Sequence, residues 1–82
     1  FNSGVMSMEI YCDTHGDSGV SAFEVGTDFI IVRFTKGGTY LYNYFTTGSY
    51  HVNNMIRLAR LGNGLNGYIN LNTKHSYARK IA

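Results

Sequence analysis

The chain has one cysteine, no tryptophan, no proline and few charged residues. A single thiol, Cys12, excludes an internal disulfide, so the core must stand without covalent staples. A lone thiol also fits a reducing compartment better than secretion. No stretch approaches the roughly 18–20 apolar residues of a membrane span, and no basic-then-apolar leader opens the chain. The expectation is a cytoplasmic protein. Acidic residues are sparse, and no Gly-rich phosphate loop of the P-loop pattern is present. A formal net charge of +2 is too small to announce nucleic-acid or membrane binding, which local clustering would have to carry. Phe1-Asn-Ser-Gly-Val5 precedes Met6 and Met8, either of which can be the natural start, so residues 1–5 receive no functional weight.

What is present describes one small packed domain. Eighty-two residues suffice for a single modest core. A hydrophobic content of 44% is ordinary for a globular chain and argues against disorder. The 15% of aromatic residues is high and consists of Tyr and Phe alone. At about 150–250 Å² each, these rings must supply much of the buried area.

Residues 8–12 (MEIYC) can form a short strand, and Asp13 to Gly19 has the Asp, Ser and Gly content of a loop. Ser21-Ala-Phe-Glu-Val25 alternates, with Phe23 and Val25 on one face. Residues 28–35 (DFIIVRFT) are the clearest strand, rich in β-branched and aromatic residues, with Ile30, Val32 and Phe34 facing the core. After Lys36-Gly37-Gly38 comes Thr39-Tyr-Leu-Tyr-Asn-Tyr-Phe45, which places Tyr40, Tyr42 and Tyr44 on one strand face. A two-residue turn would pair Thr35 with Tyr40. A three-residue turn would pair Phe34 with Tyr40, Val32 with Tyr42 and Ile30 with Tyr44. The second register gathers six apolar and aromatic side chains on one side and is preferred; the tyrosines then look inward.

From Ser49 the period changes. Val52, Met55, Ile56 and Ala59 follow the spacing of an amphipathic helix, widened by Tyr50, Asn54, Leu58 and Leu61. Thr46, Thr47 or Ser49 can cap its start, and Gly62 is a left-handed stop. Asn53, Arg57 and Arg60 fall together on the polar side. Residues 63–72 read as a shorter helix with Leu65, Tyr68 and Ile69 buried. Gly67 within it costs about 1 kcal/mol relative to alanine, which close packing against another backbone would justify. The expected fold is α+β: an antiparallel meander of three or four strands, with two C-terminal helices on its apolar face.

The order of these features resembles the KTSC domain, a small domain found at the C-terminus of some lysyl-tRNA synthetases and as free-standing bacterial proteins. The resemblance rests on Ser21, Val32-Arg33-Phe34, Gly37-Gly38, Tyr40-Leu41-Tyr42, Gly62, Asn66 and Ile69, spanning about residues 20 to 70. The chain departs from the family in two places. It has Phe45-Thr46-Thr47 where a proline often follows the Y-x-Y, and Arg60-Leu61-Gly62-Asn63 where a Ser-Lys-Gly step is common. The resemblance implies a module of no established activity, with RNA binding as its suggested role. Residues 1–19 then form an N-terminal segment, 20–72 the KTSC-like domain and 73–82 a basic tail.

Three functional readings compete. The first is a non-catalytic nucleic-acid-binding module, with tRNA or single-stranded RNA as ligand. Arg57, Arg60 and Asn53 on the helix, with Lys74, Arg79 and Lys80 in the tail, would contact phosphates. Tyr40, Tyr42, Gly62, Asn66 and Ile69 would then be structural, and core packing is favoured over base stacking for the tyrosine stripe. The second is a protein-interaction module or homodimer, using an edge strand or an outer sheet face bearing Phe29, Ile31, Leu41 and Phe45. The third is catalysis or metal binding at Cys12-Asp-Thr-His15, where a thiol lies three residues from an imidazole. A structural zinc needs four ligands, and no second pair follows. The expectation is a protein that is not an enzyme and uses no cofactor or metal.

Overall fold

The computed structural model describes residues 8–12 and 19–82. Five antiparallel strands form one sheet in sequence order: β1 (Glu9–Ile10), β2 (Val20–Val25), β3 (Phe29–Phe34), β4 (Gly38–Asn43) and β5 (Arg79–Lys80). Between β4 and β5 lie α1 (Ser49–Leu61), the single-turn α2 (Leu65–Tyr68) and a π-helical turn over Ile69–Thr73. The architecture is the expected α+β meander with two helices. It has one strand more than expected, because residues 79–80 of the basic tail turn back to pair with Tyr40 and Leu41.

Alternation along β2 and β3 does what the sequence pattern requires. Phe23 pairs with Val32 and Val25 with Ile30, so their side chains share the helix-covered face. A register shift between Val20 and Ala22 interrupts this pair, and there the Ser21 hydroxyl donates to the Arg33 carbonyl at 3.3 Å.

The β3–β4 register differs from both expected ones. Phe34 pairs with Gly38, Val32 with Tyr40 and Ile30 with Tyr42. The loop is three residues long, but it is Thr35-Lys36-Gly37, and Gly38 follows it with φ 92°. That positive φ closes the turn in a conformation that glycine adopts without steric cost. The pairing is therefore displaced by two residues from the expected register, and a two-residue shift preserves the face of every side chain. Tyr42 still points inward and is 2% exposed. Tyr40 is half-buried, while Tyr44 lies beyond the end of β4 and is exposed, its hydroxyl donating to Asn53 Oδ1 at 2.9 Å.

Helix α1 has the predicted bounds. It buries Val52, Met55 and Ala59, and the left-handed Gly62 (φ 75°) ends it with its N–H on the Leu58 and Ala59 carbonyls. The wider apolar stripe is only partly used: Leu58 is half-buried, whereas Tyr50 is 74% and Leu61 58% exposed. A narrow sheet meets one row of helix side chains, and these two project past it. The start of α1 also differs from expectation. Gly48 (φ 96°) is the N-cap, and there is no side-chain capping hydrogen bond. The threonines are engaged elsewhere: Thr46 donates to Asn43 Oδ1, and the buried Thr47 hydroxyl donates to the Ser76 carbonyl at 2.6 Å.

The core joins Val20, Phe23, Ile30, Val32 and Tyr42 of the sheet to Val52, Met55, Ala59, Leu65 and Ile69 of the helices. Tyr11, from the segment before residue 20, completes it, and its hydroxyl accepts a buried hydrogen bond from the Leu65 N–H at 3.2 Å. This satisfies one of the donors that the start of α2 leaves free. Gly67 has open space where a Cβ would be, so no close backbone contact explains it.

Burial has a pH consequence. It raises the Tyr42 hydroxyl from 10.0 to about 12, assisted by the neighbouring Tyr40 and Tyr77 hydroxyls. The unfolded chain gives up this proton near the lower value and the folded chain near the higher one. Between them the unfolded state binds fewer protons, so stability, intact at lower pH, falls as pH rises, by at most about 1.4 kcal/mol per unit. Urea denaturation midpoints should therefore drop less between about pH 9 and about pH 11 in Tyr42→Phe than in the parent; equal drops would contradict this assignment.

Candidate nucleic-acid interface

Helical spacing places Asn53, Arg57 and Arg60 on one exposed side of α1, and all three line one shallow groove of about 420 Å³ with Ile56 and Leu61. The alkyl stems of the arginines can lie along this partly apolar floor while their guanidinium groups stay in water. Asn53 is held by the Tyr44 hydroxyl on its Oδ1, which leaves its amide N–H groups to donate outward. No acidic residue occupies the first turn of α1. The groove thus offers two guanidinium groups and a carboxamide to an anionic chain.

The other three expected contacts do not join this groove. Lys80 and Arg79 alternate on β5: Lys80 pairs with Tyr40, and Arg79 pairs with Leu41 and so belongs to the opposite face. Lys74 follows the π-helical turn and borders a separate cleft of about 330 Å³. One wall of this cleft is aromatic. Tyr40 and Tyr77 lie 4.7 Å apart at an interplanar angle of 57°, with Phe34 edge-on to Tyr40 at 5.9 Å. The other wall carries Asn66, Asn70 and Lys74. Lys80 Nζ sits 5.9 Å from the centre of the Tyr40 ring, within cation–π range.

Of the residues matching the KTSC pattern, Tyr42 and Ile69 belong to the core, and Gly62 ends α1. Tyr40 and Asn66 line the cleft as well, and Tyr77 lines it without having been singled out in the sequence. A stronger sequence signal for this half of the molecule is its charge order. All five acidic residues lie at or before Asp28, and all seven Lys and Arg lie at or after Arg33. A net charge of +2 hides this asymmetry.

The outer sheet face is less apolar at its surface than the sequence suggests. Ile31 is 8% exposed, Leu41 is half-buried, and the Phe29 ring lies where a Cβ on Gly26 would stand. Phe45, at 94%, is fully exposed but lies in the turn beyond β4. Cys12 is exposed, while Asp13, Thr14 and His15 lie outside the described residues. Among the described residues no three His, Cys, Asp or Glu side chains gather to hold a metal. His51 is engaged by the Tyr68 hydroxyl at 2.5 Å, which Asn54 also contacts. No helix among the described residues is long and apolar enough to cross a membrane.

Compared with protein-family models, curated proteins and solved structures, the chain matches none. The KTSC resemblance therefore rests on the motif residues alone.

Proposed function

We propose that this protein is a non-catalytic binding module for single-stranded RNA, and that the α1 groove holds the phosphodiester chain. The observation that carries this reading is the pairing of Arg57 and Arg60 with Asn53 on one exposed helix side, in a half of the chain free of acidic residues. Guanidinium groups bind phosphate oxygens through two parallel hydrogen bonds, which suits them to a polyanion. The KTSC resemblance supports the same reading. Self-assembly through the outer face or a sheet edge is the competing reading; exposed Ile10 on β1 favours it, and a light-scattering mass that rises with concentration would reveal it.

The test is the double variant Arg57→Ala/Arg60→Ala. Both side chains are exposed, so stability should stay within about 0.5 kcal/mol of the parent. Affinity for a labelled single-stranded RNA, measured by fluorescence polarisation, should fall about tenfold or more, as expected for the loss of two phosphate contacts. Unchanged affinity in a folded variant would remove the α1 groove from the binding surface.

A further inference from the structure

We propose that the cleft between the β3–β4 hairpin and the second helix is a slot for one nucleotide, with the base against Tyr77 and Tyr40 and the phosphate toward Lys74 and Lys80. This rests on the RNA-binding reading and adds a second, base-contacting site to it.

The lining has the chemistry of a planar anionic ligand. The two tyrosine rings are tilted at 57°, so they form a corner and not a closed stack. A flat heterocycle in that corner meets one ring by its face and the other by its edge, both favourable arrangements. Opposite them stand Asn66 and Asn70, each with a donor and an acceptor suited to the edge of a base. Like that of exposed Asn63, their carboxamides have no hydrogen-bond partner among the described residues. Asn43, Asn53, Asn54 and Asn72 are each hydrogen-bonded within the protein. Lys74 in the lining and Lys80, whose Nζ lies 5.9 Å from the Tyr40 ring centre, supply positive charge, and among the described residues no carboxylate lines the cleft to repel a phosphate. A neutral sugar or an apolar peptide would leave both ammonium groups unused.

The backbone adds a separate indication. Asn66, Asn70 and Lys74 are spaced four apart, but in an uninterrupted α-helix the first and last would diverge by about 80°. The π-helical turn over Ile69–Thr73 widens the helix between them, and all three line the cleft. Such turns are rare and occur often at functional sites. The cleft volume of about 330 Å³ lies at the lower end of small-molecule sites, matching a single nucleotide more than a longer segment.

The experiment is an NMR titration of the full chain with AMP, GMP, CMP, UMP, inorganic phosphate and a short single-stranded RNA. At least one mononucleotide should shift the Tyr40 and Tyr77 ring signals and the Asn70 carboxamide saturably, and inorganic phosphate should leave the rings unmoved. Tyr77→Ala should weaken that binding about fivefold or more, the scale of one lost stacking contact. Asn70→Ala, at an exposed position, gives a second variant that keeps the fold. If the RNA binds at least tenfold more tightly than any mononucleotide through the same signals, the slot serves a nucleotide within a strand. Equal affinities would assign it to free nucleotides. RNA binding that depends on Arg57 and Arg60 but leaves the cleft signals still would overturn the slot and spare the RNA reading. Mononucleotide binding in the cleft without any RNA binding would do the reverse. No shift with any probe would overturn the slot.

Discussion

Tyr42→Ala should lower the stability of this protein by about 3–5 kcal/mol, the scale of a large aromatic truncation in a packed core. Tyr42 is the largest of the fully buried side chains. It pairs with Ile30 at the centre of the sheet, belongs to the cluster that α1 covers, and meets the Tyr77 ring edge-on at 6.5 Å. Removing the ring leaves a cavity between sheet and helix that a tightly paired hairpin cannot close. A domain with only about 5–15 kcal/mol of total stability would lose a large share of it. Urea denaturation gives the value. Tyr42→Phe at neutral pH keeps the ring, so a small loss there with a large one in Tyr42→Ala assigns the effect to packing. A loss within about 0.5 kcal/mol for Tyr42→Ala would mean a surface ring and a different sheet register.

Tyr11→Ala should cost a similar amount, about 3–5 kcal/mol, even though Tyr11 precedes most of the sheet. Its ring is 4% exposed within the main core, and its hydroxyl accepts the Leu65 N–H at the start of α2. Tyr11→Phe separates the two contributions. It keeps the packing but strips a buried N–H of its acceptor, at a cost of about 1–3 kcal/mol. If both variants match the parent in denaturation, the segment around residue 11 is not part of the folding unit.

The two tyrosines also mark what could be read from the sequence. Strand and helix periods are local, so β2, β3, β4 and α1 were legible, and α1 was bounded by its change of period and by Gly62. The inward face of Tyr42 was legible too, because the hairpin register moved by an even number of residues. The position of the turn was not, since both Gly37 and Gly38 can serve it and only the chain outside the hairpin chooses. A Cβ on Gly38 would stand 2.8 Å from the Ala82 carbonyl oxygen, so the far end of the chain packs against that turn. The contacts of Tyr11 with Leu65 and of Thr47 with Ser76 join segments 54 and 29 residues apart, which no periodicity announces.

The candidate site divides in the same way. Arg57 and Arg60 come together by helical spacing alone and were visible. The cleft needs β5 to fold back so that Tyr77 reaches Tyr40, and a π-helical turn to carry Lys74 toward Asn66. Neither event has a strong local signature in a two-residue strand or a five-residue turn.

Binding of a nucleic-acid strand through phosphate contacts would show in the salt dependence of RNA affinity. Fluorescence polarisation with labelled single-stranded RNA and tRNA between about 50 and about 200 mM salt gives the slope of log K against log salt. Two guanidinium–phosphate contacts predict a slope near −1.4 for single strands, steeper if Lys74 and Lys80 also engage. Absence of binding at the lower salt, or a slope near zero, would exclude phosphate-driven RNA binding.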